Sequence, residues 1–454
     1  MIRSLPLLLV LAACAEPPKL AQRGRWHVAD GFLRDPDHRA AVLRGVNLSG
    51  EHKQRPYLGF HQAADFDRVG TAWGFNALRF LIVWAAVEPS RGQYDQSYLD
   101  EVARRLDWAD EAGLAVVLDM HQDVYGEGFG GDGAPRWACD EALYAAHRPV
   151  TPWFANYSSP QVMACFDRLY TDPDTRGRFA RAWREVAARL KHHPAVVGFD
   201  ALNEPHWGSH DLFSFELERL GPFYDEVVTA VRAEAPHWVA FLEPAASRNL
   251  GFASGLARRG YGDVVYAPHS YDAQAEAGAG FDPSRRSQVV GNIAALADEA
   301  RRMGAALWIG EYGGVAGDPG IGAYMDAQYD GAAAASAGGA YWDYSRSSGY
   351  GLLGPDGAEK PVLLETLVRP YPARIAGEPS SFAFDEDSRR FTLTYRPDRG
   401  ISAPTEIVTP VRVYPAGYVV ECGGCLVERA AGRLLVRRPP AGATELTLTV
   451  TPAW

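Results

Sequence analysis

Eight short apolar runs, separated by helix-patterned stretches, constrain this chain more than any other feature. They are Ala41–Val46, Ala77–Val83, Ala115–Asp119, Val196–Leu202, Trp238–Leu242, Val264–Ala267, Ala306–Gly310 and Gly339–Asp343. Apolar residues on consecutive positions mark strands covered on both faces. Between the runs, Tyr98–Ala112 sets Leu99, Val102, Ala103 and Leu106 on one helical face. Arg178–Leu190 does the same with Phe179, Trp183, Val186 and Leu190. Strand alternating with helix specifies a parallel sheet. Eight such pairs over about 330 residues predict a closed (β/α)8 TIM barrel, an α/β fold, rather than an open sheet.

The texture changes after Pro361. Arg369-Pro370-Tyr371-Pro372 reads as a linker. Beyond it, Phe391–Tyr395, Glu406–Val413, Gly417–Glu421, Arg433–Arg437 and Thr444–Thr451 are rich in Thr and Val and punctuated by Gly and Pro. They predict a C-terminal antiparallel β-sandwich over 369–454, behind a barrel over 36–368. Its sequence offers no aromatic sugar platform, so its expected role is to brace the barrel.

At the start, a single Arg3 precedes the apolar run Leu5–Ala13. That run is too short to span a bilayer and suits the core of a signal peptide. Leu11-Ala12-Ala13-Cys14 resembles the lipobox of bacterial lipoproteins, which implies cleavage before Cys14 and lipidation of its sulfur. Residues 1–14 are then a lipoprotein-type signal segment, and 15–35 a tether and lead-in to the barrel. The expected location is the cell envelope of a bacterium, membrane-anchored or secreted. In an exported chain, Cys139 with Cys165 and Cys422 with Cys425 suit disulfides better than a metal site, since no histidine or second pair stands near the Cys-x-x-Cys. The net charge of -11, with no basic run, argues against nucleic acid as a partner.

Functional residues of such a barrel sit where strands end. Strand 2 carries Arg79, and strand 3 delivers Asp119-Met-His121-Gln-Asp123. Strand 4 delivers Asn203-Glu204-Pro205, strand 5 Glu243, and strand 6 His269-Ser-Tyr271. Strand 7 ends in Glu311 and strand 8 in Trp342. A core strand has no reason to finish in a carboxylate, because burying an unpaired charge is costly. Glu204 and Glu311 meet across one mouth. That is the arrangement of a two-carboxylate glycosidase, one acid and one nucleophile about 5 Å apart. Glu243 reads as a structural strand-end carboxylate.

On these residues the chain resembles glycoside hydrolase family 5, of the retaining clan, over roughly residues 36–365. The resemblance makes Glu204, in Asn203-Glu204-Pro205, the acid/base and Glu311 the nucleophile. It places Arg79 beneath the nucleophile, His269 and Tyr271 in a His-x-Tyr pair, and Trp342 as a sugar platform. The loop from His121 through Gly126-Glu-Gly-Phe-Gly-Gly-Asp132 to Trp137-Ala is similar to that of the endoglycoceramidase subgroup, whose members cut between glycan and ceramide. By that resemblance Lys53, His121, Asp123 and Asn203 hold the first glucose, with Trp153 and Trp342 as platforms. The implied partner is a glycosphingolipid at a membrane or micelle surface. No metal, organic cofactor or protein partner is implied.

The implied mechanism has Glu311 attack the anomeric carbon while Glu204, starting protonated, gives its proton to the ceramide oxygen. Arg79 is expected to keep Glu311 ionised, Tyr271 to donate a hydrogen bond to it, and Asn203 to hold the sugar 2-hydroxyl. The subgroup fixes the linkage better than the glycan. A β-glucosylceramidase, or a glucosidase or endo-glucanase acting on shorter or soluble glycosides, stays open. A non-catalytic glycan-binding lipoprotein fits less well, because relic barrels lose a carboxylate or its partners and here all are present. Two other features have two readings each. Gly126-x-Gly128-x-x-Gly131 matches a dinucleotide fingerprint but leads into Asp132-Gly-Ala-Pro135 instead of a helix, so it reads as a sharp turn. Leu212, Phe213, Phe215 and Leu217 suit a lipid-facing surface or the buried face of a short helix.

Overall fold

The computed structural model describes residues 24–453. Cys14, the rest of the signal segment and residues 15–23 of the proposed tether lie outside the described residues. Eight parallel strands close into a barrel: β1 (Arg44–Leu48), β2 (Ala77–Val83), β3 (Ala115–His121), β4 (Val196–Asp200), β5 (Val239–Leu242), β6 (Val264–Tyr266), β7 (Ala306–Tyr312) and β8 (Gly338–Tyr344). Closure is made by β8 on β1, with Gly339 opposite Arg44 and Tyr341 opposite Val46. Every residue of β1 to β6 is buried. This is why the strands read as unbroken apolar runs: helices cover one face and the barrel interior the other.

The polar exceptions are placed by register. Asn47 lies opposite Arg79 across β1 and β2, and Asp119 opposite Asp200 across β3 and β4. Both pairs point their chemistry toward the same end of the barrel.

The first strand begins later than the sequence suggests. Of the run 41–46, only its second half enters the barrel. Ala40 and Ala41 instead pair with Ile375 and Arg374 of β9 (Tyr371–Ile375). Residues 40–48 are mostly apolar, broken only by Arg44 and Asn47, so periodicity alone does not show where the chain leaves one sheet for the other.

The C-terminal domain is a sandwich of two antiparallel sheets, completed by β10 (Gly377–Asp385), β11 (Arg390–Pro397), β12 (Thr405–Val408), β13 (Tyr418–Glu421), β14 (Leu426–Ala430), β15 (Arg433–Arg438) and β16 (Leu446–Pro452). One sheet runs β10-β11-β16-β13. The other runs β9-β12-β15-β14 and is extended beyond β9 by Ala40–Ala41, Phe32–Arg34 and His27–Ala29. Ile375, Ile407, Leu434 and Val436 of this sheet pack against Phe391, Leu393, Leu448 and Val450 of the first.

Two expectations are corrected here. The segment 27–34, read as part of a tether, is a hairpin of the sandwich. The supposed linker at Tyr371-Pro372 is a buried strand. Pro372 is tolerated because the β9–β12 register shifts between Pro372 and Arg374.

The sandwich is joined to the barrel by buried side chains. Arg44, at the start of β1, places its guanidinium 4.3 Å from the ring centre of Tyr329, 4.9 Å from Tyr371 and 5.7 Å from Phe382. It therefore touches one barrel helix and both sandwich sheets through cation–π contacts. Tyr371 donates to the Gly74 carbonyl at 3.0 Å, and Arg369 to Asp326 at 2.9 Å. Cys139 is bonded to Cys165, and Cys422 to Cys425.

Candidate active site

Arg79 lies inside β2 with no exposed side-chain surface. Its Nε donates to Asp200 at 3.0 Å and its Nη1 to Glu311 at 2.7 Å. Nη1 also donates to Asn47 at 3.1 Å, and Nη2 to Asn203 at 3.0 Å and Glu243 at 2.8 Å. Asp119 stands 3.0 Å from the same Nη2. One guanidinium thus organises side chains from strands 1, 2, 3, 4, 5 and 7. Burial, then Glu243, pushes the Asp200 carboxyl well above its usual range despite Arg79.

Above this floor sit the two glutamates. Glu204 follows β4 with a φ of 42°, a left-handed conformation rare for a side chain of this size. The surroundings hold it there. Its backbone N–H donates to Glu243 Oε2 at 2.9 Å. The Gln122 amide donates to the carbonyls of Asn203 and Glu204, at 3.0 and 3.1 Å. Such local strain persists only where several contacts over-determine it.

Glu311 Oε2 accepts from Tyr271 at 2.9 Å, as the sequence analysis expects. Burial raises the Glu311 carboxyl, but His269, Arg79, His121 and Lys53 outweigh it and hold the group below its usual value. It is ready as a nucleophile. His269 Nδ1 is 2.8 Å from Glu204 Oε1 and 3.5 Å from Glu311 Oε2, and its Nε2 is 3.2 Å from Glu243. Burial opposes charge on this imidazole, yet Glu243, Glu311 and Glu204 raise it well above the usual histidine range. Oxygens of Glu204 and Glu311 and a nitrogen of His269 all lie within 4.8 Å of one another. That spacing leaves no room for a water between carboxylates and belongs to the retaining geometry.

Four further expected residues form one wall. Lys53 is ion-paired to Asp123 and stands 4.4 Å over the Trp342 ring. His121 stacks on the same ring at 5.4 Å and 14° and is bonded to Asp119 at 2.8 Å. Burial and Lys53 disfavour charge on His121, but Asp119 and Asp123 raise it to about 9. Trp153 belongs to a 3-10 turn, Trp153–Ser158, and stands at the rim, 56% exposed. It is not part of the buried wall. The turn sends Tyr157 inward instead, stacked on His206 at 5.3 Å.

The glycine motif is the bend of a hairpin in which Asp123 bridges Asp132 and Gly126 bridges Ala134. A Cβ at Gly131 would collide with the Asp123 carbonyl, and one at Gly126 with Ala134. The glycines serve close backbone approach, not a phosphate.

Sequence reasoning missed several members of the site. Asn47 sits inside an apolar run, and Asp200 closes β4 inside another. Asp119 was named at the end of strand 3 but given no role. Asn249 donates to Glu204 Oε1 at 2.7 Å from a loop without periodicity. Asp132 is buried beside Asp123 and His121, and one of its oxygens has no partner. Three groups bring ligand atoms within 4.8 Å: His121–Asp123–Asp132, Glu204–His269–Glu311 and Asp119–Asp200–Glu243. Each already faces a cation of the chain, Lys53 in the first and Arg79 in the other two.

Comparison with known proteins agrees with this geometry. Residues 35–348 match the family described as cellulase (glycosyl hydrolase family 5), and 369–450 its C-terminal domain. The chain belongs to glycosyl hydrolase family 5. It is 30% identical to endoglycoceramidase I of Rhodococcus hoagii, over 96% of this chain and 89% of that protein. Endo-glycoceramidase II from Rhodococcus sp., solved with ganglioside GM3, superposes with a TM-score of 0.85 at 34% identity, covering 94% of this chain and all of that one. Its lactosyl-enzyme intermediate superposes with 0.84 at 34% identity, covering 93% and 100%. These relatives share both the barrel and the sandwich. The chain is a retaining glycoside hydrolase of this family.

Asp132 gives a pH test of the wall. Burial, then Asp123, pushes its carboxyl up to about 7. A carboxyl whose folded value exceeds its unfolded one binds its proton more tightly when folded. It therefore weakens the fold progressively as pH rises from about 4 through about 7, the unfolded and folded values. Asp132→Asn removes that charge without changing shape. The variant is expected to melt higher than wild type at pH 8 and at the same temperature at pH 4. Equal melting at both pH values contradicts the account.

Proposed function

We propose that this enzyme releases an intact oligosaccharide from ceramide by cleaving the β-glycosidic bond between them. The single observation that carries the reading is the change in character across the catalytic pair. On one side of Glu204 and Glu311 lies the polar wall of Lys53, His121, Asp123 and Trp342, suited to a sugar by hydrogen bonding and stacking. On the other, next to the acid, the surface turns apolar. Phe213 is 81% exposed, Leu250 68%, Leu217 60% and Phe252 42%, with the Phe213 and Phe252 rings 6.1 Å apart. Leu250 directly follows Asn249, which touches Glu204. The acid faces the leaving group, so the apolar rim adjoins the leaving group. Phe215, by contrast, is buried. Exposure of Phe213 and Leu217 favours the lipid-facing reading for those two, and burial of Phe215 the helix-face reading for that one. Exposed apolar patches of this kind suit a lipid surface. The ganglioside GM3 complex and the lactosyl-enzyme intermediate of the Rhodococcus endo-glycoceramidase II support the same assignment.

In the first step, a Glu311 oxygen bonds to the anomeric carbon while the bond to the ceramide oxygen breaks. The Glu204 proton passes to that oxygen. In the second, Glu204, now a carboxylate, takes a proton from water, whose oxygen replaces Glu311 at the anomeric carbon. Arg79 and Tyr271 keep charge on Glu311 between turnovers. Asn203, anchored by Arg79 and by its own bond to the Gln122 carbonyl at 3.1 Å, presents its remaining amide hydrogen to the sugar. Trp153 at the rim is placed to stack a sugar beyond the first.

The test is a product assay on the chain without residues 1–14, in detergent, read by mass spectrometry. Glucosylceramide, lactosylceramide, a ganglioside and cellopentaose are compared. Intact glycan plus ceramide from the longer lipids is expected. Cleavage of glucosylceramide alone, or of cellopentaose alone, overturns the endo-acting reading.

We also propose export as a lipoprotein, which supplies the apolar rim with a membrane. The support is the short apolar run ending at Cys14 and the two disulfides. No helix among the described residues is long and apolar enough to cross a bilayer. Mass spectrometry of the membrane-extracted protein should find Cys14 as a diacylated N-terminus. An unmodified Cys14 in a protein processed elsewhere contradicts it.

A further inference from the structure

Glu204 presents its two oxygens to different surroundings. Oε1 accepts from Asn249 Nδ2 at 2.7 Å and lies 2.8 Å from His269 Nδ1. Among the described residues, no hydrogen-bond partner engages Oε2. His269 is a residue of the family pattern. Asn249 is not in that pattern. It is exposed, and no substrate-binding role follows from its position.

Its placement is nonetheless firmly built. Asn249 sits in the 3-10 turn Ala246–Leu250, which begins with a hydrogen bond from Ala246 N–H to the Pro205 carbonyl at 2.9 Å, one residue past Glu204. The preceding Arg248 is buried, donating to Glu299 at 3.0 Å and to Asn292 at 3.0 Å. The following Gly251 leaves the turn with a φ of 90°. The amide is thus held from both sides and aimed at one carboxylate oxygen.

We infer that Asn249 is a positioning residue for the acid/base, fixing Oε1 as the acceptor so that Oε2 carries the proton delivered to the leaving oxygen. A carboxylic acid has one O–H. With two N–H donors converging on Oε1, a proton there would face both of them, so the acid form places it on Oε2. The same two bonds stop the carboxyl rotating, which keeps Oε2 toward the scissile bond. Near-attack alignment of this kind is sensitive to small displacements. The inference rests on Glu204 being the acid/base.

The decisive experiment compares kcat/KM on three substrates sharing one glycan. The first is a glycosphingolipid, the second an octyl glycoside, and the third a 2,4-dinitrophenyl glycoside. The first two have poor leaving groups that need a proton. The third leaves without one, so its kcat/KM is independent of acid catalysis. Asn249→Ala should lose about 10- to 100-fold on the first two, within the range supplied by a positioned acid, and less than about twofold on the third. Asn249→Asp, of the same shape but with an acceptor toward Glu204, should be at least as impaired on the first two. A loss confined to the glycosphingolipid marks a ceramide contact and overturns the proposal. An equal loss on all three marks a merely structural role and also overturns it, as does no loss. Glu204→Ala is the control: it must show the same leaving-group dependence more strongly. If it does not, the assignment of Glu204 itself fails. If it does while both Asn249 variants match wild type, only the present inference fails.

Discussion

At the floor of the barrel mouth, one fully buried guanidinium faces Asp119, Asp200, Glu243 and Glu311. The rest of the site is arranged around Arg79. Removing one partner of a buried ion pair costs about 3–5 kcal/mol, because it strands the other charge. Arg79 serves four carboxylates together with the amide oxygens of Asn47 and Asn203. Strands from both sides of the barrel are therefore tied to a single positive charge.

The catalytic division of labour follows from the same balance. Glu311 is held ionised by His269, Arg79, His121 and Lys53 against the cost of its burial. Asp200, buried beside Glu243, is pushed the other way, well above its usual range. Glu243 receives Arg79 on one oxygen and the Glu204 backbone N–H on the other. A carboxylate with no direct chemistry thereby fixes the strained turn that carries the acid. The strain at Glu204, the charge at Glu311 and the raised Asp200 carboxyl are consequences of one cluster. Outside it, the polar wall built on Trp342 and the apolar rim near Phe213 decide what can enter on each side.

Much of this was legible in the sequence because burial and chemistry leave opposite marks. Strands covered on both faces read as apolar runs, and carboxylates at their ends stand out against them. Glu204, Glu311, Tyr271, His269 and Arg79 were found that way, and the family resemblance added Lys53 and Asp123. Asn47, Asp119 and Asp200 were harder. They lie within strands, where a lone polar residue does not break the pattern and its partner comes from a distant strand. Asn249 had no local signal, since its role depends on a loop meeting Glu204. The Ala40–Ala41 pairing with β9 and the hairpin at 27–34 were hidden for a related reason. Ala40–Ala41 pair with residues more than 300 positions away, the hairpin joins the sheet only through them, and prolines at 370 and 372 imitate a linker. Trp153 was placed by resemblance in the right loop, but the turn leaves it at the rim.

The central claim is that Glu311, held ionised by the Arg79 cluster, forms the covalent bond to the sugar. The most direct measurement is trapping with a dinitrophenyl 2-deoxy-2-fluoro glycoside, followed by peptide mass spectrometry. The account predicts one added glycosyl residue per chain, on the peptide containing Glu311 and assigned to that side chain. Inactivation with the label on Glu204 or another carboxylate, or turnover with no trapped adduct, would contradict it.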